Sequence, residues 1–313
     1  MILNTGNRTD IPAYYSEWFY NRIKEGYVCA RNPYCPEKVH QFSLSPEVVD
    51  VLVFCTKNPT PMLARIDEIQ KFCHFWSVTI TPYGRDVEPF VPPKEEVMKS
   101  LEHLSRLLGP SCVSWRYDPI FLTDKYSFAF HIEMFERMAA QLSGSVDNCV
   151  ISFLDLYEKT KKNFPGVGEV SADMQEKLVT EFVKTGRHYG ISIRTCCEGE
   201  KWKKYGVDTS GCLSKETLER AVGCELEVPG SVKYVRAGCE CLLGNDIGMY
   251  NTCGHGCRYC YANYDMKSVC QNMCLHDPKS PFLIGWGKEG DEIKIVEQKL
   301  WQNGQIKFDF TGK

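Results

Sequence analysis

No apolar run in this sequence approaches the roughly 20 residues needed to cross a bilayer. None near the start has the make-up of a secretion signal, so a cytoplasmic protein with no membrane attachment is expected. An excess of one charge is missing too. The 37 basic and 40 acidic side chains leave a net charge of −3, and no global basic field draws the chain to nucleic acid. Histidine is scarce. His40, His74, His103, His131, His188, His255 and His276 form no H-x-H or H-E-x-x-H pair, which weighs against a conventional metallohydrolase. There is also no G-x-x-x-x-G-K-[ST] phosphate loop, no repeat of fixed period and no low-complexity tract.

Cysteine is what the chain has in abundance. There are 17 in 313 residues, and an odd count without a secretion signal argues for thiolate–metal chemistry over a disulfide framework. Cys55, Cys73, Cys112 and Cys149 lie in or beside apolar runs and read as small core hydrophobes. The densest group is Cys253, Cys257 and Cys260, spaced C-x3-C-x2-C in a glycine-rich loop, with a helix expected from Tyr261. Three thiolates so close in sequence can converge on one metal centre. They suit a [4Fe–4S] cubane that keeps one iron open. Gly254 and Gly256 let the loop wrap tightly, because glycine tolerates positive φ. Freed backbone N–H groups and His255 can then donate to the cluster sulfides. A zinc site, or thiols without metal, is the plain alternative.

Short β-branched runs alternate with longer amphipathic stretches, the pattern of repeated βα units. Strands are expected at 2–3, 51–55, 75–81, 112–115, 149–153 and 191–194, with helices at about 12–24, 61–72, 93–108, 127–142 and 171–188. Chemically capable groups fall at the strand ends: Arg8 and Asp10, Lys57 and Asn58, Tyr83, Arg116 and Asp118, Asp155 and Tyr157, Arg194 and Glu198. A parallel barrel gathers such ends at one mouth, where its active site lies. The expected fold is therefore α/β: a full or partial (β/α) TIM-like barrel over 1–200. A cysteine-rich segment, 201–278, would close the mouth, and 279–313 would add a small β extension with strands at 293–296 and 306–310.

Arg116, Asp118, Asp10, Lys57 and Asp155 are the candidate catalytic groups, although Asp10 also reads as a helix cap and Arg116 with Asp118 as a structural pair. Arg8, Arg116 and Arg194 can grip a carboxylate or phosphate bidentately, and Tyr157 and Tyr259 can stack on a base. A second set, Cys196, Cys212, Cys239 and Cys241, occupies turn-like segments. Cys197 competes with Cys196, and a strand at 232–236 would deliver Cys239 and Cys241. Four thiolates can hold a second [4Fe–4S] cluster or a tetrahedral zinc ion. Alternatively, Cys239 or Cys241 supplies a fourth ligand to the first cluster. Cys270 and Cys274 read as packing residues of the helix after the triad.

The pattern C-x3-C-x-aromatic-C, with Tyr259 in the aromatic slot, resembles the cluster signature of the radical S-adenosylmethionine (radical SAM) enzymes. Asp246-Ile-Gly-Met-Tyr-Asn-Thr-Cys253 with Tyr259-Cys-Tyr-Ala-Asn263, Arg8-Thr-Asp-Ile-Pro12, Thr56-Lys-Asn-Pro59 and Trp115-Arg-Tyr-Asp-Pro119 resemble an uncharacterised family carrying such a motif at its C-terminus. Spore photoproduct lyase is a more distant relative. The resemblance implies that Cys253, Cys257 and Cys260 hold an oxygen-sensitive [4Fe–4S] cluster, that SAM chelates the open iron, and that Tyr259 packs near the cofactor. It implies an enzyme that abstracts hydrogen from an unidentified substrate, small-molecule or nucleotide-like, with electrons from a donor such as ferredoxin or flavodoxin. In one respect the chain departs from the pattern: radical SAM enzymes carry the triad after their first strand, and here it begins at Cys253. Either the barrel is permuted or the loop was recruited to another scaffold. The competing expectation is a non-SAM electron-transfer or sensing protein with fully ligated clusters.

Overall fold

A strand buried on both faces needs a crossover that packs back onto the sheet, and the amphipathic stretches between the apolar runs provide it. The structure, a computed structural model, describes residues 1–230, 239, 241–242 and 245–306. In chain order it opens with β1 (Ile2–Asn4), α1 (Ile11–Tyr14), α2 (Ser16–Glu25) and a hairpin of β2 (Tyr27–Arg31) and β3 (Lys38–Ser43). Then come β4 (Val51–Thr56), α3 (Thr60–Leu63), β5 (His74–Thr79), α4 (Lys94–Leu108), β6 (Val113–Ile120), α5 (Phe128–Leu142), β7 (Asn148–Phe153), α6 (Glu158–Asn163), α7 (Ala172–His188) and β8 (Ser192–Thr195). The later chain adds α8 (Lys215–Val222), β9 (Cys224–Leu226), α9 (Met266–Cys274), β10 (Glu292–Ile295) and β11 (Gln302–Ile306).

The centre is a six-stranded sheet in the order β1-β4-β5-β6-β7-β8, parallel throughout. Sequential parallel order is that of a partial barrel. Among the described residues the sheet does not close, and β1 and β8 are its outer strands. Each edge is extended by one parallel bridge, Asn4 to Asp246 and Arg194 to Asp208. The expected strand at 232–236 lies outside the described residues.

Alternation along the strands splits the core in two. Leu3, Leu52, Phe54, Trp76, Trp115 and Ile151 face the helices. Ile2, Val51, Val53, Phe75 and Val150 face the other way, under Leu213, Leu218, Leu226 and Leu242 of the later chain. The C-terminal third therefore roofs one face of the sheet.

Several helix starts fall where the sequence puts them, because a short polar side chain there satisfies an orphan N–H. Asp10, Ser127, Ser171 and Ser214 cap α1, α5, α7 and α8. Other expectations need correction. The helix expected at 12–24 breaks at Tyr15, whose φ of −134° is not helical. The one at 61–72 shrinks to α3 and a 3₁₀ turn, Ile66–Ile69, with the break at Arg65, whose φ of −129° is not helical. No helix begins at Tyr261; α9 starts at Met266, behind the Asp265 cap. The hairpin β2–β3 was not expected. The two late strands do not pair with each other: β10 joins β3 in parallel and β11 joins β9 antiparallel. The strand expected at 306–310 lies, beyond Ile306, outside the described residues. Among the described residues no helix is long and apolar enough to cross a membrane.

Candidate metal centres

The triad loop is fastened from several sides. Tyr15 OH donates to the Thr252 carbonyl at 2.6 Å, Asn263 Nδ2 to the Cys253 carbonyl at 2.7 Å, and Arg258 N to the Val87 carbonyl at 3.0 Å. Gly256 takes the positive φ expected of it, 67°. Gly254 serves differently: a Cβ there would sit 2.7 Å from the Tyr14 ring. Tyr14 cannot retreat freely, since its hydroxyl meets His255 Nδ1 at 3.1 Å while His255 Nε2 meets Asp10 Oδ2 at 2.8 Å. A carboxylate can only accept, so Nε2–H donates to Asp10 and Nδ1 accepts from Tyr14. Asp10 also takes Thr56 Oγ1 at 2.7 Å and the Lys57 amide at 2.8 Å. This carboxylate thus joins α1, the end of β4 and the triad loop.

The triad thiols are half-buried. Burial pushes all three up, Cys257 to about 12 even with Lys57 pulling the other way. A metal bound there would have to displace these protons. Their sulfurs do not all lie within 4.8 Å of one another. That spacing is compatible with ligands on separate irons of a cubane.

Beside Cys257 lies a polar knot that sequence reasoning missed in part. Glu88, fully buried, accepts from Lys57 Nζ at 2.8 Å and Thr81 Oγ1 at 2.6 Å, and also from Lys94 Nζ and Tyr259 OH. Burial pushes the Glu88 carboxyl up, but the two ammonium groups outweigh it and hold it at about 2. The Tyr259 ring packs edge-on to Tyr83 at 6.1 Å and lies 5.5 Å from the Lys57 ammonium. Nothing local in sequence marks Glu88 or Lys94, which only the fold brings to Lys57.

The other candidates are distributed unevenly. Arg116 Nε donates to Asp118 Oδ1 at 3.2 Å, and Ser152 Oγ to Asp118 Oδ2 at the same distance. Burial opposes the Arg116 charge, yet Asp118 and then Cys212 outweigh it and raise its pKa. Arg116 therefore faces the second cysteine set. Burial opposes the Lys57 charge too, and Glu88 leads the groups that raise its pKa, with Asp118 a smaller contributor. Arg8 Nε is held by Asp246 Oδ2 at 2.8 Å. Arg194 is buried and paired with Asp208 at 3.1 Å, under α8. Asp155 is exposed and accepts from Tyr157 OH at 3.2 Å. The Tyr157 ring lies 6.2 Å from that of Tyr261, another exposed tyrosine that the sequence did not single out.

In the second set, Cys196, Cys212 and Cys241 bring their sulfurs within 4.8 Å of one another, as do Cys196, Cys197 and Cys239. Cysteine groups this close can hold a metal centre. Cys196 belongs to both groups, and Cys239 and Cys241 lie with it rather than with the triad. Cys73, read as a core residue, is exposed just ahead of β5, and Cys270 and Cys274, read as packing residues, are exposed on α9.

No curated protein and no solved structure matches the chain. A family model does, over residues 2–262, and the chain belongs to the family it describes, a domain of unknown function (DUF1848).

Proposed function

We propose that the protein is an iron–sulfur enzyme of radical SAM type on a partial (β/α) barrel, with Cys253, Cys257 and Cys260 holding a [4Fe–4S] cluster. The observation that carries this reading is the set of three half-buried thiols, spaced C-x3-C-x2-C, in a loop tied through His255 and Asp10 to the end of β4. When bound, the cluster and SAM supply the radical that takes a hydrogen atom from substrate. The chain's own groups bind, orient and shield. Lys57 and Lys94 against the single carboxylate of Glu88 leave a net positive charge beside Cys257, suited to a ligand carboxylate. The packed rings of Tyr83, Phe121 and Tyr259 exclude water from the inner wall. Exposed Tyr157 and Tyr261 offer a flat, apolar surface to an adenine or a base-like substrate. The grouping of Cys239 and Cys241 with Cys196 supports this reading over the fully ligated alternative, for which either was a candidate fourth ligand.

The test is spectroscopic. Anaerobically reconstituted protein, once reduced, should show a paramagnetic cluster signal that changes on adding SAM and should release 5′-deoxyadenosine. A signal indifferent to SAM returns the protein to the electron-transfer or sensing class. Failure to bind iron and sulfide removes the reading altogether.

A further inference from the structure

We propose that Cys196, Cys212, Cys239 and Cys241 bind a single divalent metal ion, zinc by its chemistry, as a structural centre separate from the triad. The proposal is independent of the radical SAM reading.

The spacing of the sulfurs carries it. Cys212 and Cys241 Sγ are 3.2 Å apart and Cys196 and Cys241 Sγ 3.7 Å. A tetrahedral ion with Zn–S bonds of about 2.3 Å has S···S edges of about 3.8 Å. Ligands of a cubane sit on different irons and stand farther apart, and the triad of this same chain is more open than the second set. A disulfide needs about 2.05 Å, well inside these separations. The sulfurs of Cys196, Cys212 and Cys241 are thus spaced for one ion, and Cys239, which groups with Cys196, is the fourth ligand.

The surroundings are built for sulfur. All four side chains are buried, at 8%, 4%, 6% and 1% exposure. The Leu213 amide donates to Cys241 Sγ and the Cys241 amide to Cys239 Sγ, both at 3.4 Å, the N–H···S support usual around bound thiolates. Gly211, at φ 96°, brings its backbone close enough that a Cβ would lie 3.0 Å from Cys241 Sγ. Cys197, half-buried, is a neighbour of the set, its sulfur 3.9 Å from that of Cys196 and grouped with Cys196 and Cys239. Four thiolates in a tetrahedron suit zinc, whose affinity for such a site exceeds that of ferrous iron.

The consequence is mechanical. Cys196 follows the last strand, β8, and Cys212 stands just ahead of Ser214, the cap of α8. One ion on these side chains ties the end of the sheet to the roof over its second face. Arg116 reaches toward the same thiols from β6 and partly offsets their charge.

The experiment begins with a chain carrying Cys253→Ala, Cys257→Ala and Cys260→Ala, purified anaerobically. Elemental analysis should find about one zinc per chain and little iron. Adding Cys212→Ser and Cys241→Ser should lower the zinc at least tenfold, while Cys270→Ser with Cys274→Ser should leave it unchanged. If the second-set variant does not fold, cobalt(II) added to the zinc-stripped, triad-free chain decides. Intense tetrahedral thiolate bands saturating at about one equivalent support the site; weak octahedral bands overturn it. A four-iron, four-sulfide content in the triad-free chain overturns the proposal, as does a Cys212–Cys241 disulfide under non-reducing mass mapping. Zinc retained in a protein whose triad never binds iron sinks the radical SAM reading and leaves this one standing.

Discussion

Glu88 joins four groups, Lys57, Thr81, Lys94 and Tyr259, in one buried point, and its neighbours explain why it is ionised there. Removing its charge takes the ion-pair partner from both Lys57 and Lys94, and breaking a buried pair in this way costs about 3–5 kcal/mol. Glu88→Gln keeps the shape, so its expected effect is a fall in denaturant midpoint of that order together with weaker retention of triad iron. A variant as stable as the parent would show that the knot is not the counter-ion system described. Cys257→Ala has a different expected signature. The triad's iron and sulfide should largely go while circular dichroism stays native, since the loop is held through Asp10, Tyr15 and Val87 as well. Full iron content in that variant would remove Cys257 from the ligand set. At this scale the sequence was informative only where a residue sits next to a strand end. Asp10 and Lys57 were legible for that reason. Glu88 and Lys94 reach the site from a loop and a helix start, and their partners are tertiary.

Among elements, the parallel strands and the capped helices were read nearly to the residue, because apolar runs and cap side chains are local signals. The β2–β3 hairpin escaped notice, since its strands mix polar and apolar positions and their stability comes from pairing, including with distant β10. The triad loop was legible in composition but not in cause. Its two glycines look alike in sequence, yet Gly256 answers a positive φ and Gly254 answers the Tyr14 ring. Gly254→Ala should therefore push Tyr14 off His255 and loosen the loop from Asp10. The expected outcome is a several-fold faster loss of iron to a chelator at near-native thermal stability. Tyr14→Phe, which removes the hydroxyl and keeps the ring, should give a smaller effect in the same direction. If Gly254→Ala releases iron no faster than the parent, the contact with Tyr14 does not set the loop.

For the whole molecule the two faces of the sheet have different vulnerabilities. The roofed face depends on thiols, whereas the helix-packed face carries two buried histidines that make it sensitive to acid. His74 accepts from Trp76 Nε1 at 2.8 Å; His131 lies between Tyr117 OH and the Phe121 carbonyl, each at 2.9 Å. Burial pulls both from 6.5 to about 4, so the folded chain holds them neutral. The unfolded chain takes up these protons below about 6.5 and the folded chain only near 4. Their contribution is complete above that window and drains away as pH falls through it. For His131, fully buried, a shift of this size is worth roughly 3 kcal/mol across the window. Glu88 has the opposite kind of shift, a carboxylate depressed from 4.5 to about 2. Its contribution is present above 4.5 and is lost only below, after the histidines have acted. Acid should thus weaken the protein in two stages, histidines first. His131→Gln removes one titration while keeping a polar side chain, and it should be less stable than the parent near neutral pH. The gap in melting temperature should then narrow steadily from about pH 7 to about pH 4 as the parent loses what the variant lacks. A gap constant across that range would mean that His131 is protonated in the folded core, and that the helix-packed face is not where acid first acts.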